Sequence, residues 1–131
     1  LLDKGVSVRK RVIRCLRELL NRTEWSVSYK PSEGAKDKVS HCYNGLSISH
    51  VNDACLRLIR RIHDEDSVKK LVLELFQDLW FAPVTEPAEG LIKFRIACIC
   101  DAVLALRSTN FQLLDDFFKA VICDHLSDQF S

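Results

Sequence analysis

One six-residue pattern is used twice in this chain: Ser7-Val8-Arg9-Lys10-Arg11-Val12 returns sixty residues later as Ser67-Val68-Lys69-Lys70-Leu71-Val72. Each copy opens a stretch in which apolar residues recur at helical spacing. A helical unit repeated along a chain cannot bury its apolar face alone, so it stacks on its neighbours. Such a stack offers surfaces for partners in place of an enclosed catalytic pocket. The repeat therefore predicts an all-α fold built by stacking.

In the first copy Asp3 precedes Arg9 by six residues, with Val8 just before the arginine. That Asp…Val-Arg arrangement resembles the signature of a HEAT repeat, the helix-pair unit of many large scaffold proteins. In the second copy His63 stands where the aspartate belongs, and Asp64 comes one position late. The resemblance implies a HEAT-repeat-type helical solenoid, flanked by further HEAT repeats of the same chain. The two copies are sixty residues apart, whereas a HEAT unit needs only about 40–47. The excess falls on residues 21–50, which lose all periodicity and collect Ser, Lys, Glu, Gly, Asn and Pro31. This stretch reads as an inserted, largely disordered surface loop. Its Trp25, Tyr29 and Tyr43 are either a docking motif or incidental loop aromatics.

Five helices follow from the periodicity. The first spans about Val6 to Leu20, with Val8, Val12, Ile13, Cys15, Leu16, Leu19 and Leu20 on one half of the wheel. Arg9 points into that apolar half; a buried arginine needs partners, and Asp3 is the near one. The HEAT resemblance implies the same structural role for Asp3 and Arg9, an Asp–Arg contact between repeats. Lys10, Arg14 and Arg17 fall within about 60° of one another on the opposite face, with Arg11 beside them. The second helix, about Val51 to Ile62, packs Val51, Ala54, Cys55, Leu58, Ile59 and Ile62, with Arg57, Arg60 and Arg61 on its other side. An acidic turn, Asp64-Glu65-Asp66, favours the start of the third helix through its dipole. This helix runs from Ser67 to about Phe81 and carries Trp80 as a core residue. Pro83, Thr85, Pro87 and Gly90 form a linker. Leu91 to Leu106 is apolar nearly all round and should be buried among other helices. A last helix, capped by Ser108, Thr109 or Asn110, shows a core stripe of Phe111, Leu114, Phe117, Phe118, Val121 and Ile122. The organisation expected is a first HEAT-like helix at 1–20, the insertion at 21–50, a HEAT-like helix pair at 51–82, a linker at 83–90 and a further pair at 91–131.

The absence of any methionine and the opening on Leu1-Leu2 predict an excerpt of a longer protein. No apolar run approaches the ~20 residues of a membrane span. The six cysteines contain no C-x-x-C pair, which predicts buried, reduced thiols and no metal or other cofactor. No phosphate loop, nucleophile elbow or metal-binding helix appears, and the histidines are scattered: His41 and His50 in the insertion, His63 at a helix end, His125 near the terminus. An enzyme is not expected. The net charge of +1 hides a polarity: residues 1–70 carry fifteen Lys/Arg against nine Asp/Glu, and residues 71–131 four against nine. Such asymmetry predicts a basic surface for an anionic partner.

Two further strings narrow the reading. Arg60-Arg61-Ile62-His63-Asp64-Glu65 leads into the second motif copy, and Leu79-Trp80-Phe81-Ala82-Pro83 ends its helix. With Gly5 to Arg14 around the first copy, they resemble the cohesin loader family, the Nipped-B or adherin proteins, over roughly residues 1–20 and 51–83. The resemblance implies a non-catalytic scaffold in the nucleus, on chromatin. It implies partners too: double-stranded DNA gripped without base reading, cohesin's ATPase heads and kleisin, and stimulation of an ATPase that belongs to cohesin. Lys10, Arg11, Arg14, Arg17, Arg57, Arg60 and Arg61 are the candidate residues for DNA or an acidic partner. A HEAT adaptor that binds only protein, of transport-receptor or phosphatase-scaffold type, stays open beside it, since phosphate and carboxylate attract the same donors. Both stripes on one concave wall would favour DNA, and stripes on separate edges would favour protein contacts.

Overall fold

In the computed structural model, residues 1–20, 48–84 and 89–130 are described. They form five helices and no strand: α1 (Val6–Leu20), α2 (Ile48–Ile59), α3 (Asp66–Trp80), α4 (Glu89–Thr109) and α5 (Phe111–Phe130). A 3₁₀ turn, Arg60–His63, continues α2. The expected all-α class is what is found. The proposed insertion, with Trp25, Tyr29, Tyr43, His41 and Cys42, lies almost entirely outside the described residues, as do Thr85 and Pro87 of the proposed linker. The chain from 48 to 50, including His50, is already helical in α2, and Gly90 lies in the first turn of α4.

Local chemistry sets the ends of these helices. The Asp3 carboxylate accepts the Gly5 N–H at 2.8 Å, and the Arg9 N–H donates to the Gly5 carbonyl at 3.1 Å, closing the first turn of α1. The Glu65 carbonyl accepts from both Val68 and Lys69 at 2.9 Å, which starts α3 directly after the acidic turn. Asn110 is the residue that caps α5: its Oδ1 accepts the Leu113 N–H at 3.2 Å. The Thr109 hydroxyl instead donates back to the Ala105 carbonyl within α4.

The core is centred on α3, which buries Val68, Val72, Leu73, Leu75, Phe76, Leu79 and Trp80. It packs against α1, the 3₁₀ turn, α4 and α5, while α2 lies on α4 and α5. Phe76 sits 4.6 Å from Trp80 and 4.9 Å edge-on from Phe117, so α3 and α5 meet through an aromatic cluster. This explains why the apolar arc of α3 exceeds half its wheel: neighbours cover it on more than one side.

Four expectations change. In α1 the inward residues are Arg9, Ile13 and Leu20, with Val6 and Leu16 packed against the core, so Val8 is 48% exposed and Cys15 also faces out. The inward line follows spacings of three and four residues from Arg9, which tilts the helix away from the widest apolar arc. In α4 only Phe94, Cys98, Ala102 and Leu106 are buried. Ile92, Ile96 and Leu104 stand exposed with Cys100 on the opposite ridge. Likewise Phe111 and Ile122 of α5 are exposed, and Leu113 joins Leu114, Phe117 and Val121 inside. Of the described cysteines only Cys55 and Cys98 are buried; Cys15, Cys100 and Cys123 are exposed. Burial pushes the Cys98 thiol up to about 12, with the Asp101 charge adding to it, and raises Cys55 as well.

Candidate interface: a buried ion pair beside two basic faces

Arg9 is the sole buried charged residue among those described, at 9% exposure. Its guanidinium reaches across from α1 to the turn before α3: Nη2 donates to Asp64 Oδ1 at 2.9 Å, and Nε lies 2.9 Å from Asp64 Oδ2. Nη1 donates to the Asp3 backbone carbonyl at 2.6 Å. The acid that answers Arg9 is therefore Asp64 of the second motif copy, and Asp3 contributes a carbonyl, its carboxylate being used on Gly5. The 3₁₀ turn Arg60–His63 ends just before this aspartate, whose backbone leaves the helix in an extended conformation. The Asp64 amide donates to the Arg61 carbonyl at 3.1 Å, and the side chain of Asp64 then faces Arg9, while His63 turns outward to Asp116 of α5 at 3.0 Å.

Burial alone would raise the Asp64 carboxyl. The hydrogen bonds from Arg9 and the Glu65 amide, with the charges of Arg9 and Arg61, outweigh it and hold the group below the usual carboxylate range. Arg61 also donates to the Leu1 carbonyl at 3.3 Å and lies 3.6 Å from Asp64, so it fastens the N-terminal segment to the same turn.

The remaining candidate cations divide into two faces. On α1, Lys10, Arg11 and Arg14 have no ion pair among the described residues, whereas Arg17 is held by Asp78 and, at 3.4 Å, by Glu74 of α3. These two acids went unread in the sequence, although their spacing of four along α3 puts both on one side of that helix. On the other face Arg57, Arg60 and Arg61 line a hollow with Leu1, Leu2, Leu16, His50, Asp53 and Ala54. That hollow takes only Leu16 from α1 and nothing from the Lys10–Arg14 ridge. Arg57 pairs with Asp53 one turn earlier at 3.0 Å, and Arg60 has no ion pair among the described residues. Trp80 stands apart from both faces, inside the aromatic cluster. No group of His, Cys, Asp and Glu among the described residues is arranged to hold a metal.

Over 124 residues, 92% of its length, the chain is 33% identical to the Nipped-B-like protein of Homo sapiens. This chain is homologous to a segment of the Nipped-B proteins. It is 31% identical over 121 residues to the Nipped-B protein of Drosophila melanogaster, and 39% over 84 residues to Nipped-B-like protein scc-2 of Caenorhabditis elegans. It spans only about 3–5% of the length of these relatives. The Nipped-B homology thus reaches well past the two stretches on which the resemblance rests in the sequence. No family model matches the chain, and no solved structure does. No described helix is long and apolar enough to cross a membrane.

Proposed function

We propose that this chain is a non-catalytic scaffold segment of a nuclear, chromatin-bound cohesin-loading protein, and that its α1 ridge of Lys10, Arg11 and Arg14 lies against a DNA phosphate backbone. The observation that carries the reading is the Nipped-B homology along 92% of the chain. The ridge supports it, because its cations have no internal acid among the described residues and remain available to phosphate. Such contacts neutralise charge and release counterions without reading bases. Arg17 is left out of the ridge, since its guanidinium already serves two carboxylates of α3. In this role the segment passes DNA and cohesin surfaces, including the ATPase heads and kleisin, to one another, and ATP hydrolysis stays with cohesin.

The test is fluorescence anisotropy with a duplex of ~30 base pairs over a salt series, comparing the chain with its Lys10/Arg11/Arg14→Glu variant. The slope of log affinity against log salt should become shallower by about one unit for each phosphate contact removed. Equal binding by both proteins, or none by either, removes DNA from this ridge. A protein-only adaptor is the second reading. It is favoured by the separation of the cations into two faces, which provides no single basic groove among the described residues.

A further inference from the structure

We infer that the hollow between the N-terminal segment and α2 docks a peptide that combines an aliphatic side chain with acidic neighbours. The inference deepens the scaffold reading by naming a protein partner for the second basic face, and it rests on that reading. The hollow encloses about 260 Å³, which suits one or two side chains; the convex backbone of a rigid duplex does not enter such a space. Its lining is of two kinds. Leu1, Leu2, Leu16 and Ala54 form an apolar wall. Arg57, Arg60 and Arg61 form the cationic wall, and Asp53 is the sole acid of the lining, already paired with Arg57. Arg61 adds a buried Nε with no hydrogen-bond partner.

A second, more open hollow shares Leu2, Arg60 and Arg61 and adds Lys4, but its lining also holds Asp3 and the Arg9-paired Asp64. An extended chain can therefore seat an aliphatic side chain against the leucines of the first hollow and set its carboxylates against Arg57 and Arg60. Charge complementarity excludes a basic segment, and the apolar wall gives a purely acidic one nothing to bury. Arg60, exposed and without an ion pair among the described residues, is the natural anchor, because an arginine fork engages both oxygens of a carboxylate.

The probe is a fluorescein-labelled peptide alternating glutamate and leucine, with blocked ends, titrated into the full chain; an all-glutamate peptide and a DNA duplex are the comparisons. The Glu/Leu peptide should bind, about tenfold weaker to Arg57→Gln/Arg60→Gln and measurably weaker to Leu2→Ser. All three residues are exposed, so the variants keep the fold, which circular dichroism checks. Binding should be unchanged in Lys10/Arg11/Arg14→Glu. No binding, equal binding of the all-glutamate peptide, or displacement of the peptide by DNA through Arg60 overturns the proposal. Loss of DNA binding with the peptide retained, or the reverse, tells failure of the ridge from failure of the hollow.

Discussion

Arg9 gives up nearly all contact with water, and it is tolerated inside because a carboxylate of matching shape meets it. Removing one member of a buried pair leaves the other charge uncompensated, at about 3–5 kcal/mol. Asp64→Ala should therefore lower the melting temperature sharply. Asp3→Ala should cost under ~1 kcal/mol, because it keeps the carbonyl used by Arg9 and loses only the bond to Gly5. The pH dependence has a definite sign. A carboxyl whose folded pKa is depressed adds stability above its unfolded value, about 3.9, and loses it as pH falls through the lower folded value. Acid melts should show a steeper loss below about pH 4 in the parent chain than in Asp64→Asn; parallel losses would sink the assignment. The sequence revealed that Arg9 is buried, since it stood in an apolar arc. It hid the partner, because Asp64 lies 55 residues away along the chain and only the packing of α1 against the entry to α3 brings it to Arg9.

Among the elements, α3 carries the packing and α1 is fastened to it by contacts of unequal worth. Trp80 lies in a cluster with Phe76 and Phe117. Trp80→Ala should destabilise the chain by about 3–5 kcal/mol, as for other buried aromatics. Its indole Nε1 has no hydrogen-bond partner, so Trp80→Phe should be far milder. Arg17→Ala should cost only about 0–1 kcal/mol, less in high salt, because the Arg17, Glu74 and Asp78 side chains are more than a third exposed. Thermal melts of the three variants in low and high salt check both statements. The helices themselves were legible from period and capping, although the cap of α5 stood among Ser108, Thr109 and Asn110 until the structure singled out Asn110. Which face of α4 turns inward was not: its apolar residues surround the helix, so periodicity gives no direction. In α1 the wheel put Val8 and Arg9 in one apolar arc, and packing turns only the Arg9 side of that arc inward, which leaves Val8 outside.

At the scale of the whole molecule, the cations of the first seventy residues do not form one field. Some are consumed internally, at Asp64, Asp78 and Glu74; others remain on α1 or around a hollow whose lining includes none of Lys10, Arg11 and Arg14. Composition made the excess visible, and only the tertiary fold shows how it is spent. The outer ridge of α4, with Ile92, Ile96, Cys100 and Leu104 facing water, has a consequence for the chain in solution. Colloidal repulsion between copies depends on net charge, which is only +1 here. Molecules that meet ridge to ridge thus have little to push them apart, and a greasy seam to hold them together. Sedimentation should show concentration-dependent self-association that Ile96→Glu abolishes, and a loading series with no such trend would mean that water alone suffices to keep that seam apart.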